Sequence, residues 1–242
     1  MEGSGEKKKE IINQAFKYHS QGNIAEAAKY YQLFITQGFE DHRVFSNYGS
    51  ILKSLGKLQE AELAQRKAIE LNPGFVEAHY NLGNILIDLG KSKDAELSLR
   101  KVIALNPNLA NAHYNLGNVL IDLGNLQEAE RCQRKAIELN PNFANAYYTL
   151  GNILKGLGNL QEAENSYRKA IALNPDFAEA HLNLGTVLIS LGNLQEAEFE
   201  NQKSIDISFV QNINSKYRED CLKHISLSKS QFRQDLFALS EL

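Results

Sequence analysis

Apolar side chains recur at helical spacing in short, evenly repeated runs along this chain. Over residues 76–89 the apolar positions include Leu82, Ile85, Leu86 and Leu89, and over 93–106 they include Leu99, Val102 and Ile103. Steps of three and four place each set on one face, so the pattern predicts two amphipathic helices. Gly90 follows the first run, where a left-handed residue ends a helix without a Cβ clash. Pro107 follows the second run; it lacks an N–H and disfavours helix in the residue before it.

This pair is one of a series. Pro73, Pro107, Pro141 and Pro175 stand 34 residues apart. Gly49, Gly83, Gly117, Gly151 and Gly185 keep the same step, as do Gly22, Gly56, Gly90, Gly124, Gly158 and Gly192. Ala27, Ala61, Ala95, Ala129, Ala163 and Ala197 form a further column. Aligned on these columns, the chain divides without gaps into six units: 8–41, 42–75, 76–109, 110–143, 144–177 and 178–211. Such a period implies stacked helical repeats rather than a globular enzyme fold.

Each unit resembles a tetratricopeptide repeat, whose signature is an aromatic ring, then Leu-Gly, later Ala and finally Pro. That order is His79, Leu82-Gly83, Ala95, Pro107, and again His113, Leu116-Gly117, Ala129, Pro141. The terminal units depart from it, with Gln14-Ala15 for Leu-Gly, and Phe39 and Phe209 at proline positions. The resemblance implies an all-α, right-handed superhelical solenoid of six helix pairs whose first helices line a concave groove. Residues 1–7 are expected to be a disordered lead-in. Residues 212–242 are expected to form a C-terminal capping helix and tail, since Ile213, Tyr217, Cys221 and Ile225 recur at four-residue steps.

Counting positions from the start of each unit, the sixth holds Asn13, Asn47, Asn81, Asn115, Thr149 and Asn183, and the ninth adds Asn84, Asn118 and Asn152. Asparagine is a modest helix former, so its recurrence in mid-helix needs a reason. A primary amide offers both a donor and an acceptor, matching a peptide backbone. Neighbouring helices lie about 8–10 Å apart, close to three residues of extended chain. A ladder of these amides could therefore hold an extended peptide, an arrangement that resembles the repeat arm of O-linked N-acetylglucosamine transferase. The other reading is hydrogen bonding within and between repeats. If the amides only touch ligand, alanine there leaves the fold intact and favours helix. Tyr80, Tyr114 and Tyr148, at the fifth position, face the same groove, either to grip a ligand or to pack on the adjacent helix.

Groove charges are sparse: Glu77, Glu179, Asp88 and Asp122 against Lys155, with Arg43 and Lys53 earlier. The convergent basic residues that hold chaperone C-terminal carboxylates are missing. His79, His113 and His181 share the fourth position, but equivalent sites one repeat apart lie too far from one another to share a metal, so they are read as packing rings. Cys132 lies beside Arg131 and Arg134, which would lower its pKa, yet no base accompanies it; it is read as a surface or half-buried thiol. No phosphate loop, dinucleotide fingerprint, nucleophile elbow or zinc-protease motif occurs.

A net charge of −3 over 242 residues argues against a nucleic-acid partner. No apolar run is long enough for a membrane span, the N-terminus lacks an apolar signal region, and two cysteines fit a reducing cytoplasm. The expected function is a non-catalytic scaffold, without cofactor or metal, that binds a protein or extended peptide in the groove. One alternative is an accessory arm of a glycosyltransferase or methyltransferase. The stretch Ser230–Phe237 weakly resembles the lead-in of FkbM-type methyltransferases, although their glycine-rich cofactor loop is missing from this sequence. A second alternative is self-association into a homo-oligomer.

Overall fold

A computed structural model describes residues 2–212, and among these every regular element is an α-helix. Helices α1 (Glu2–Ser20) and α2 (Ile24–Thr36) form the first pair. The pairs α3 (His42–Ser54) with α4 (Leu58–Leu71), α5 (Val76–Asp88) with α6 (Ser92–Leu105), and α7 (Ala110–Asp122) with α8 (Leu126–Leu139) follow. Then come α9 (Ala144–Gly156) with α10 (Leu160–Leu173), and α11 (Ala178–Ser190) with α12 over 194–212.

The chain forms two compact units, residues 1–149 and 150–242. In the first, each helix packs on its pair partner and each second helix packs on the next first helix; α3 also touches α5, and α5 touches α7. In the second, α10 packs on α11.

The breaks fall where glycine permits them. Gly22, Gly56, Gly90, Gly124, Gly158 and Gly192 all adopt positive φ, between 69° and 85°. At Gly56 the bonds from Gly56 N–H to Lys53 O and from Lys57 N–H to Leu52 O satisfy the last carbonyls of α3, the glycine C-cap pattern. The prolines lie outside helices: α4 ends at Leu71, and Asn72, before Pro73, is extended at φ −144° and ψ 93°. Where the first repeat has Phe39 instead of proline, Gly38 at φ 73° follows the end of α2. Where the sixth has Phe209, nothing stops the helix, and α12 runs on to residue 212.

Inside each pair the alanine column is buried, with Ala27, Ala61, Ala95, Ala129, Ala163 and Ala197 at 0–1% exposure. Helices this close leave no space for a larger residue, and overpacking there costs about 1–3 kcal/mol. The first pair adds aromatic packing: Tyr31 and Phe34 are fully buried with Ile11, Ala15 and Val44, and Phe16, Tyr18 and Phe39 pack against them.

One expectation at the N-terminus is corrected. Residues 2–7 form the first turns of α1 instead of a disordered lead-in. Lys7 Nζ donates to Gln37 Oε1 and Lys8 Nζ to Glu40 O, tying this end of α1 to the segment after α2. The expected capping helix at 213–225 and the 230–237 stretch lie outside the described residues.

Candidate functional site: the asparagine face of the first helices

In residues 1–149, the first helices present parallel stripes at steps of four, three and four residues. They are Arg43, Asn47, Ser50 and Ser54 on α3; Glu77, Asn81, Asn84 and Asp88 on α5; and Asn111, Asn115, Asn118 and Asp122 on α7. Helical geometry puts each stripe on one face. The two central residues of each are half-buried and the outer ones exposed on α5 and α7. The chain therefore surrounds a line of amides with charged and polar ends.

The amides are not equivalent. Asn115 Nδ2 donates to Asn84 Oδ1 at 2.7 Å and to Tyr80 Oη at 3.3 Å. Asn81 Nδ2 donates to Ser50 Oγ at 3.2 Å, and Asn47 Nδ2 to Tyr31 Oη at 3.1 Å. Asn47, Asn81 and Asn115 thus each give their N–H to the preceding repeat. Asn81 and Asn115 are left with Oδ1 as the group without a partner among the described residues; for Asn84 and Asn118 that group is Nδ2. Along α5 and α7 the face therefore shows a carbonyl, then an amino group one turn on, in the same order on each helix.

In residues 150–242 the bond recurs: Asn183 Nδ2 donates to Asn152 Oδ1 at 3.2 Å, and Lys155 Nζ donates to Asn183 Oδ1 at 2.9 Å. These cross-repeat bonds change the expectation for alanine. Removing such an amide deletes a link between repeats, worth about 0.5–1.5 kcal/mol net, in addition to any gain in helix propensity. Of the remaining sixth-position residues, Asn13 is exposed on α1 and Thr149 is buried. Tyr80, Tyr114 and Tyr148 are half-buried, and the Tyr114 ring lies 4.7 Å from that of Phe143, so packing is part of its role.

A further column, not singled out from the sequence, sets two of the ninth-position amides. At position 24, on the second helix, stand Tyr31, Gln65, Leu99, Gln133, Tyr167 and Asn201. From Gln65 onward these side chains pass the column glycines of the first helix; in the first pair Ala15 stands at that place. A Cβ on Gly49 would lie 2.7 Å from Gln65 Nε2, and one on Gly151 would lie 2.6 Å from the Tyr167 ring. Through that gap Gln133 Nε2 donates to Asn118 Oδ1 and Tyr114 O, both at 3.2 Å, and Tyr167 Oη donates to Asn152 Oδ1 at 2.7 Å. In these two pairs the second helix thus holds Asn118 and Asn152 from behind. The available signal was a polar or polar-tipped side chain recurring 16 residues after the column glycine, at Gln65, Gln133, Tyr167 and Asn201.

The histidines close loops. His79, His113 and His181 each direct Nε2 to the carbonyl of the proline six residues earlier, at 2.9–3.0 Å, and a carbonyl can only accept, so Nε2 carries the proton. His181 Nδ1 also meets Glu200 Oε2 at 2.6 Å in a buried contact. No cluster of three or more metal-ligating side chains occurs among the described residues. Cys132 differs from expectation: it is buried, and burial, followed by the Glu128 carboxylate, pushes its pKa up to about 11, outweighing the pull of Arg100 and Arg131. No described helix is long and apolar enough to cross a membrane.

Five repeat profiles match along the chain: tetratricopeptide repeat over 42–75, 64–96, 108–176 and 148–205, and TPR repeat over 83–124. With the helix pairs and their packing, this shows that the chain belongs to the tetratricopeptide repeat family. The crystal structure of MamA is 29% identical, covering 68% of this chain and 96% of that one, with a TM-score of 0.65. YrrB, described as a TPR protein with an unusual peptide-binding site, is 28% identical over 75% of this chain and 93% of its own, with a TM-score of 0.65. A tetratricopeptide repeat protein from Parabacteroides merdae ATCC 43184 shares the fold at 21% identity, covering 82% and 79% of the two chains, with a TM-score of 0.69. No curated protein matches the chain.

Proposed function

We propose that this chain is a non-catalytic scaffold that holds an extended peptide segment of a protein partner across the first helices. Tetratricopeptide repeats are in general protein-interaction modules, and YrrB is described as having a peptide-binding site. The observation that carries the reading is the common order of the amides on α5 and α7. Asn81 and Asn115 offer a carbonyl, and Asn84 and Asn118 an amino group. An extended backbone presents N–H and C=O groups alternately, so it can pair with this face largely regardless of its side chains. Tyr80 and Tyr114 beside the amides offer ring surface to those side chains.

The test is selection of a random peptide library on the intact chain, followed by titration of a selected peptide. Replacing Asn81 and Asn115 together by Ala removes two backbone contacts, and affinity should fall by about tenfold. The titration is run well below the melting temperature, so that the lost cross-repeat bonds do not unfold the protein. Unchanged affinity per folded molecule would refute the reading and assign these amides to structure alone.

A further inference from the structure

Lys53 Nζ meets Asp88 Oδ2 at 3.1 Å, joining the last turns of α3 and α5. Lys53 is the twelfth residue of its repeat and Asp88 the thirteenth of the next. One repeat on, Asp122 stands where Asp88 does, but Ile87 stands where Lys53 does. Asp122 is exposed and has no ion-pair or hydrogen-bond partner among the described residues. The chain shows what this edge does with an ammonium group, and between α5 and α7 it supplies none. In residues 150–242 the twelfth-position lysine returns as Lys155; with Ser190 at the thirteenth position of the following repeat, it bonds to Asn183 instead.

The surroundings of Asp122 suit a cationic side chain. Asp122 is the last residue of α7, at the negative end of the helix dipole, where a cation is favoured. Ile87, half-buried, offers apolar surface to a methylene stem, as amphipathic side chains prefer. Asp122 lies one turn beyond Asn118, about 6 Å along the helix axis, a span suited to the long flexible stem of lysine.

We infer that Asp122 seats the ammonium or guanidinium group of a lysine or arginine in the peptide held on α5 and α7. The inference rests on the peptide-binding reading above and adds a side-chain preference to it.

The library selection is repeated in parallel on the intact chain, on Asp122→Asn, and on Asp94→Asn, which removes a carboxylate from the exposed surface of α6. Lysine or arginine should be enriched at one peptide position with the native chain and with Asp94→Asn, and not with Asp122→Asn. A peptide chosen on the native chain should bind Asp122→Asn more weakly by on the order of threefold at low salt, and added salt should narrow the gap. Basic enrichment that survives Asp122→Asn, or selected peptides with no basic preference, would overturn the seat and leave the backbone reading standing. If no peptide is selected at all, the backbone reading fails and the seat fails with it.

Discussion

In the first helix pair, Ala15 occupies the place that Gly49, Gly83 and Gly117 hold in the next three pairs, and Tyr31 is the second-helix residue that pairs with it. Tyr31 is fully buried, and its Oη meets His19 Nδ1 at 2.8 Å and Asn47, on the next repeat, at 3.1 Å. In the pair formed by α9 and α10, Tyr167 lies against Gly151 and its Oη reaches Asn152 of its own repeat. The same residue type on the second helix thus serves a different neighbour according to what stands at the eighth position. The glycine column does more than bring helices together: it opens a passage through which a polar side chain of the second helix supports the amide face. The first pair lacks that passage and is consolidated by rings, with Phe16 and Tyr31 edge to face at 6.0 Å and Tyr18 and Tyr30 stacked at 5.4 Å.

The largest test of this comparison is Gly151→Ala. The stiff Tyr167 ring cannot yield as a flexible chain does, so the added methyl should destabilise the protein by about 1–3 kcal/mol, read as a lower urea midpoint. A midpoint equal to that of the native chain would show that the passage is not needed, and the contrast with Ala15 would collapse.

A smaller effect, of opposite sign, is expected for Gln133→Leu. Leu99 already fills the equivalent place beside Gly83, and Gln133 Oε1 is buried without a hydrogen-bond partner. The change should leave stability level or raise it by up to about 1 kcal/mol, since an unsatisfied buried acceptor is removed. Asn118 would lose its support, so a selected peptide should bind a few-fold more weakly. Unchanged peptide affinity would mean that the second helix packs the face without orienting it.

The smallest effect concerns position 23, which holds Tyr30 in the first pair and the buried Cys132 in the fourth. Burial raises the Cys132 pKa from 9.0 to about 11. The stabilising contribution of the neutral thiol is therefore complete below pH 9 and is lost as pH rises through about 11. In a Cys221→Ser background, Cys132 should resist alkylation at neutral pH and react with a midpoint near 11. Relative to a Cys132→Ser partner, its melting temperature should fall across the same window. Rapid labelling at neutral pH would show that the thiol is not held in the core.

Much of the helix-pair architecture was legible in the sequence because it is carried by local rules repeated many times. Gly56 and its column mates end helices by adopting positive φ, and Pro73 and its column mates bound the second helices. The exceptions arise where tertiary contacts or a missing stop decide: Lys7 and Lys8 draw residues 2–7 into α1, and Phe209 lets α12 continue. The amide columns were visible as composition, but not their polarity. Whether Asn115 turns its nitrogen or its oxygen to the open face depends on Asn84 and Tyr80, a repeat away. The burial of Cys132 was likewise invisible beside two arginines, because adjacency in the chain does not report which face of a helix meets its neighbour.

The bond that Asn81 and Asn115 make back to the preceding repeat has a consequence for how such a chain can change over evolutionary time. A sixth-position amide needs only an acceptor at the ninth position of whichever unit precedes it, and Ser50 and Asn84 both serve. Loss of residues 76–109 by recombination would set Asn115 against Ser50 as Asn81 is now, with the repeat-to-repeat bond preserved. The same event would bring Lys53 opposite Asp122 and fill the carboxylate that Ile87 leaves open. Duplicating the deleted unit would do the reverse, because each added copy carries an isoleucine at its twelfth position and an aspartate at its thirteenth. Copy number alone would therefore set how many acidic seats stand open along the array, and charge preference could drift without a single point substitution.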